Sequence, residues 1–220
     1  MEIHILSKKK SILNTYLEEI RSEIIQKDRL RFRTNISRIT QFLCYEMSQR
    51  LQYHPVEIQT GLGIKKTEVP DQDIVVCSIL RAGLTMHQTI LNCFDQADNA
   101  FISAYRKHDI HDASKFEIII EYLACPNLNN KTLILADPML ASGQSCWLAY
   151  EALLKYGKPK QLHILSVIAS KQGLDYLENK VPEETHLWLA DLDPELNDYG
   201  YIVPGLGDAG DLSFGIKLQH

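Results

Sequence analysis

Three consecutive apolar residues, Leu133, Ile134 and Leu135, run into Asp137 and Pro138, and a cluster of small and hydroxylated residues follows: Ala141, Ser142, Gly143 and Ser145. WLAYEALLKYG then reads as a helix closed by Gly157. The stretch reads as a buried strand that passes through a tight turn into a helix. It also aims unpaired backbone N–H groups, and the positive end of the helix dipole, at one place. That place suits a phosphate. Ser142 and Ser145 add hydroxyl donors, and Gly143 lets the main chain come close. Asp137, an acceptor-only group at the mouth, suits a sugar diol. The plain alternative is an ordinary strand-to-helix connection with an Asp turn. A Walker A loop is excluded, because no Gly-Lys-Ser or Gly-Lys-Thr follows the glycine.

The flanking chain alternates strand and helix signals. Residues 11–25 carry Ile12, Leu13, Tyr16, Leu17, Ile20, Ile24 and Ile25 at helical spacing. A second helix is predicted over 31–51, with Phe32, Ile36, Ile39, Phe42, Leu43 and Met47 inward. Arg29, Arg31, Arg33 and Arg38 read as its solvated face. Residues 56–64 and 65–69 suggest an edge strand and hairpin bent at Gly61 and Gly63. The run 74–80 is continuously apolar, as in a central parallel strand covered on both faces, and a helix is predicted from 84 to 94. Between them stands Arg81, at the carboxyl end of a strand, where open α/β sheets bind ligands.

Residues 101–105 and 116–124 read as arms of a projecting hairpin, joined by the polar run 107–115. His108 and His111, with Asp109 and Asp112 interleaved, could be drawn as a metal site. A solvated turn is the better reading, because nothing nearby completes a ligand set. Strands at 162–169 and 186–192 bracket a helix at 172–178, so the sheet should be mostly parallel. From 194 to 215 periodicity is lost, and the density of Gly, Pro and Asp predicts a long loop.

A chain of 220 residues accommodates one substantial domain. Its net charge of -5 gives no general attraction to nucleic acid or anionic membrane, so an anionic substrate must be steered by local arginines. The five cysteines are scattered without CxxC spacing, and their odd number argues against a disulfide framework. A reducing cytoplasm is the expected location. No leader-like start and no membrane-length apolar run is seen.

DPMLASGQS resembles the phosphoribosyl-diphosphate loop of uracil phosphoribosyltransferases. NDYGYIVPGLGDAGDLSFG is similar to that family's uracil-binding segment, and SILRAGL at 78–84 also fits. FRTNISRITQFLCYEMS resembles the helix that precedes the family's first sheet strands. The motifs stand in the family's order at about its spacing, and the likeness runs from about Phe32 to Gly215. It implies a single α/β domain over 1–220 of the type I phosphoribosyltransferase kind, with a mostly parallel central sheet flanked by helices. N-terminal helices would occupy 1–55 and the core 56–193, with an arm at about 101–124. The base-binding tail would occupy 194–220.

By the same resemblance, phosphoribosyl diphosphate would be bound by Arg81, Arg106, Asp137, Pro138, Met139, Leu140, Ala141, Ser142, Gly143, Gln144, Ser145 and Asp208. Uracil would meet Ile202, Gly207, Asp208 and Ala209, and the catalytic residues would be Arg81, Arg106, Asp137 and Asp208. Mg²⁺ is the implied cofactor, held mainly by the diphosphate with Asp208 as the protein ligand. Implied partners are uracil and phosphoribosyl diphosphate, with no nucleic acid or membrane. A homodimer or higher homo-oligomer is implied, and GTP activates some members. The implied activity makes uridine monophosphate and diphosphate. Transfer to another base, or a non-catalytic nucleotide sensor, are the alternatives.

Uracil is small and uncharged, with an acceptor, a donor and an acceptor along one edge. Backbone groups can read that edge where Gly205, Gly207, Ala209 and Gly210 keep side chains away. Cytosine would mismatch two of the three groups, each at a cost of roughly 1–3 kcal/mol. Two positions depart from the family pattern. No basic residue follows the last Asp of DLSFG, and Gln144 stands where the loop usually carries a second glycine. If that position needs φ > 0, the side chain costs about 1–2 kcal/mol; if it is right-handed helical, the cost is small.

Overall fold

Alternate residues of the apolar run at Ile74–Leu80 face two different cores. Ile74 and Val76 pack into one, and Val75, Cys77 and Ile79 into the other. A strand buried on both faces must lie inside a sheet with helices on each side. The computed structural model describes residues 1–108 and 116–217, of which 104–108 and 116–119 as backbone only.

Strand β1 (Glu2–Ile5) is followed by α1 (Leu13–Arg21), α2 (Arg29–Ser48) and a hairpin of β2 (Tyr53–Thr60) and β3 (Gly63–Pro70). Then come β4 (Ile74–Leu80), α3 (Leu84–Cys93), β5 (Asp98–His108) and β6 (Phe116–Ala124). Next are β7 (Thr132–Ala136), the short β8 (Met139–Leu140), α4 (Gln144–Leu153), β9 (Gln161–Ser170), α5 (Lys171–Glu178) and β10 (His186–Asp193). The tail holds β11 (Glu195–Leu196), β12 (Ile202–Val203) and α6 (Ala209–Phe214).

The main sheet runs β1-β10-β9-β7-β4-β5-β6, all neighbours parallel except β6 on β5, with β8 added beside β9. Helices α1 to α3 cover one face; α4 and α5 cover the other. Helix α2 is fastened by Phe32, Ile36, Ile39, Leu43 and Met47, none more than 1% exposed. Each contributes about 1.5–3 kcal/mol relative to an exposed side chain, so packing rather than propensity holds this helix. Asp28 caps it by accepting from the Arg31 N–H at 3.1 Å.

The paths out of β4 and β7 diverge. After β4 the chain crosses through α3 to β5 on one side, whereas after β7 it crosses through α4 to β9 on the other. The carboxyl ends of these two neighbouring strands therefore flank a crevice, the topological switch point where such sheets take up ligands. Both sequence-predicted loops, the one carrying Arg81 and the one carrying Asp137, open there.

Several elements differ from expectation. Helix α1 stops at Arg21 rather than reaching Ile25, because the chain turns extended at Ser22, and Ile24 is 84% exposed. The region 1–55 holds more than helices: Glu2–Ile5 joins the sheet beside β10, and β2 begins at Tyr53. The β2–β3 hairpin forms a separate two-stranded sheet rather than an edge of the main one. The tail is not a plain loop but carries the β11–β12 pair and α6. The side chains of Arg106 and His108, and Asp109, His111 and Asp112, lie outside the described residues. Among the described residues, no helix is long and apolar enough to cross a membrane.

Candidate active site

A cavity of about 680 Å³ opens at the carboxyl ends of β4 and β7. On one wall stand Arg81, Asp137, Met139, Ala141 and Ser145; on the other stand Ile202, Gly207, Asp208 and Ala209. Residues more than fifty positions apart in sequence thus face one space, because the tail folds back over the switch point.

The first wall is the turn after β7. The Asp137 N–H donates to the Leu165 carbonyl at 3.1 Å, and Asp137 Oδ1 accepts from the Met139 N–H at 3.2 Å. The Pro138 carbonyl accepts from the N–H groups of Val167 and Ile168 at 3.1 and 3.0 Å, which clamps the turn on β9. The Ser170 hydroxyl donates to the Ala141 carbonyl at 2.7 Å while accepting from the Gly173 N–H at 2.9 Å. One side chain thereby caps α5 and pins the turn to it. A smaller cavity of about 20 Å³ lies inside the bend, lined by Ala141, Ser142, Gly143, Ser145 and Cys146 among others. That is room for a group the size of a water.

Gly143 takes φ +76, and a Cβ there would meet the Gly173 carbonyl at 2.7 Å and Tyr176 at 3.1 Å. Its glycine is demanded by a left-handed backbone and by contact with α5, rather than by approach to a ligand alone. Gln144 is the first residue of α4, and among described non-glycine residues only Asn130 has positive φ. Gln144 is therefore tolerated without strain, which decides between the two alternatives the sequence left open. The Gln144 N–H lies 3.5 Å from Ser142 Oγ, at the limit of a hydrogen bond. Burial, and secondarily Asp137, pushes the Cys146 thiol far up, so the cysteine beside this turn is no nucleophile.

The second wall depends on α1. Arg21 donates to both oxygens of Asp193, at 2.8 and 3.0 Å, to Asp191 at 2.8 Å, and to the Gly205 carbonyl at 2.9 Å. Asp193 in turn accepts from the Gly205 N–H at 3.2 Å. These bonds fix the bend after the cis Val203–Pro204 peptide, where Gly205 takes φ +62 and a Cβ would lie 2.0 Å from the Ile202 carbonyl. Gly207 has φ +92 but faces open space, its nearest obstacle being Leu212 at 4.0 Å. Asp208 caps α6 by accepting from the Asp211 N–H at 2.9 Å. Arg33 donates to the Ser213 carbonyl at 2.7 Å, so one arginine of the expected solvated face anchors the tail.

Of the expected site residues, Leu140, Ser142 and Gly143 line only the smaller cavity, while Pro138 and Gln144 line neither. Pro138 is buried and acts through its carbonyl. Arg81 is engaged with Asp211 and the Gly215 carbonyl. The sequence reading missed Ser103, Tyr199 and Lys217, which also border the cavity. The Tyr199 signal lay inside the NDYGYIVP run itself; Ser103 and Lys217 carry no local signature. Three carboxylates, Asp137, Asp208 and Asp211, border one space, and hard oxygen donors of this kind fit Mg²⁺ held chiefly through a substrate's phosphates.

The family model described as uracil phosphoribosyltransferase matches residues 7–216. A uracil phosphoribosyltransferase of Porphyromonas gingivalis is 48% identical over 218 residues, covering 99% of this chain and 100% of that protein. One of Methanothermobacter thermautotrophicus is 38% identical over 186 residues, covering 84% and 83%. The solved structure of the AQ2163 protein from Aquifex aeolicus matches with a TM-score of 0.85 at 28% identity, covering 99% of this chain and 100% of that one. With the turn after β7 and the glycine-bearing tail facing one cavity, the chain belongs to the uracil phosphoribosyltransferase family.

Proposed function

We propose that this chain transfers the phosphoribosyl group of 5-phospho-α-D-ribose 1-diphosphate to N1 of uracil, giving uridine monophosphate and diphosphate. The observation that carries the reading is the single cavity bordered by both the Asp137 turn and the Gly207–Asp208–Ala209 segment. The N1–C1′ bond forms as the C1′–oxygen bond to diphosphate breaks, with inversion, and the N1 proton leaves to the departing diphosphate or to solvent. Charge grows on the leaving group while the ribose becomes cationic, so catalysis is electrostatic and positional.

In this reading the turn from Ala141 to Ser145 takes the 5′-phosphate at the amino end of α4, and Asp137 accepts from the ribose hydroxyls. Arg81 takes charge on the diphosphate, a role shared with Arg106 through the family resemblance. Backbone groups of Ile202, Gly207 and Ala209 read the uracil edge. Asp208, which borders the cavity from the cap of α6, would hold Mg²⁺, whose contribution when bound is to neutralise phosphate charge.

The same reading carries self-association as a dimer or larger assembly, supported by the β2–β3 hairpin, whose Ile58, Leu62 and Ile64 are exposed. It also carries a cytoplasmic location, with which the five free thiols agree, and GTP as an effector. Incubation with phosphoribosyl diphosphate, Mg²⁺ and, in turn, uracil, orotate, hypoxanthine and guanine tests it, with and without GTP. Uridine monophosphate from uracil alone is expected. Turnover of another base, or binding without product, overturns the assignment. Size-exclusion chromatography at several concentrations tests the assembly.

A further inference from the structure

At the end of the sheet opposite the cavity, β1, β9 and β10 place Glu2, His4, His163, His186 and Trp188 on one face. In register, Glu2 stands beside His186 and His186 beside His163, while His4 stands beside Trp188. His4 Nε2 lies 3.3 Å from His186 Nδ1. The Glu2 carboxylate comes within 3.5 Å of His4 Nε2 through Oε1, and within 3.3 Å of His186 Nδ1 through Oε2.

Zinc bonds of 2.0–2.1 Å pointing to the corners of a tetrahedron make edges of about 3.3–3.4 Å. The 3.3 Å between His4 Nε2 and His186 Nδ1 matches one such edge, and each nitrogen has a Glu2 oxygen within 3.5 Å.

The surroundings hold both rings in place. His4 stacks on Trp188 with centroids 3.8 Å apart, and His186 stacks on His163 at 5.1 Å. His163 is itself fixed by the Trp188 indole, which donates to its Nδ1 at 3.1 Å. Arg50 grips Oε1 of Glu2 at 2.6 Å, leaving Oε2 as the oxygen nearer His186. An outer partner that orients a ligating carboxylate is a usual feature of metal sites.

We infer that Glu2, His4 and His186 bind Zn²⁺, with solvent in the fourth position, as a structural tie between the edge strand β1 and β10. The triad is separate from the cavity and soft enough to discriminate against Mg²⁺.

Titration of the metal-free full chain with Zn²⁺ against a chromophoric chelator tests this. One equivalent should bind, undisturbed by millimolar Mg²⁺, and Co²⁺ in its place should give the intense visible bands of a tetrahedral site. His4→Gln and His186→Ala should each weaken Zn²⁺ binding about 100-fold or more, with uridine monophosphate synthesis unchanged. Glu2→Gln, at an exposed position, gives a variant whose folding is not in question and should weaken binding as well. Absence of stoichiometric binding, or binding undiminished in Glu2→Gln and His4→Gln, overturns the site. So does an ion lost in Asp208→Asn instead, since that ion would belong to the cavity.

Discussion

The Arg81 guanidinium donates to Asp211 Oδ1 at 2.7 Å and to the Gly215 carbonyl at 3.2 Å, joining the loop after β4 to the tail across the mouth of the cavity. Asp211 thereby holds the cation proposed to meet the diphosphate. The pair is partly exposed, 40% for Arg81 and 28% for Asp211, and such pairs contribute about 0.2–1 kcal/mol. A highly charged diphosphate can displace it. Asp211→Asn should therefore lower the KM for phosphoribosyl diphosphate by about two- to five-fold. Arg81→Ala should lower kcat/KM by about 100-fold while leaving the uracil KM near its starting value. Steady-state kinetics with each substrate varied checks both; a raised KM in Asp211→Asn would mean that the carboxylate orients Arg81 instead of competing for it.

Gly143 and Gln144 should respond in opposite ways to substitution. Gly143→Ala adds a Cβ at φ +76, only 2.7 Å from the Gly173 carbonyl. The left-handed backbone alone costs about 1–2 kcal/mol, and the collision pushes α5 away. Binding of phosphoribosyl diphosphate should be lost and the urea midpoint should fall. Gln144→Gly should give no gain in binding and a stability loss of about 0.5–1 kcal/mol, since the position is helical. Tighter binding by Gln144→Gly, measured calorimetrically, would refute this account of the turn.

Asp137→Asn keeps an oxygen to accept from the Met139 N–H, so the turn should stay folded. Its lost charge weakens the bond to the ribose hydroxyls by about 1.5–3 kcal/mol, roughly ten- to a hundred-fold in kcat/KM. Wild-type turnover with an unchanged circular dichroism spectrum would remove Asp137 from its assigned role.

Arg21 anchors the bend at Gly205, beside the segment proposed to meet uracil, without lining the cavity. Its side chain and that of Asp193 are 19% and 7% exposed, and removing one partner of such a pair typically costs about 3–5 kcal/mol. Arg21→Ala should lower stability and raise the uracil KM, because Gly205 and the segment after it lose their anchor. Arg21→Lys, which keeps the charge but not the fork, should restore most of the stability and little of the uracil affinity. Equal effects on both substrates would show that the loop is not selectively positioned.

His163 is fully buried, and burial pushes its pKa down to about 3. The folded state prefers the neutral ring, whereas the unfolded chain takes up a proton near pH 6.5. The stability this group contributes is therefore complete above about pH 6.5 and is lost as pH falls toward 3. His163→Gln, which can still accept from the Trp188 indole, should flatten the decline in urea midpoint between pH 7 and pH 5. An unchanged slope would show that other groups dominate acid unfolding.

The alternating strands and helices were legible because burial on both sheet faces writes continuous apolar runs such as the one at Ile74–Leu80, and because helix spacing in Phe32 to Met47 matches the face that is buried. The Asp137-to-Ser145 turn and the glycine-bearing tail were legible because backbone geometry restricts residue choice there. Strand β1 was not, since four residues beside β10 acquire strand identity only from their partner. The end of α1 was also hidden: Arg21 is held by Asp191 and Asp193, some 170 residues away.

The order of the loops that border the cavity, and the residue types they carry, were legible in the amino-acid sequence alone, because each is a local conformation with its own residue requirements. Only the tertiary structure decided that the tail folds back to face the β7 turn, that Arg81 meets Asp211, and that Glu2, His4 and His186 converge. These are contacts between distant segments, set by sheet order and by burial shared across the whole core, and no single stretch of chain encodes them.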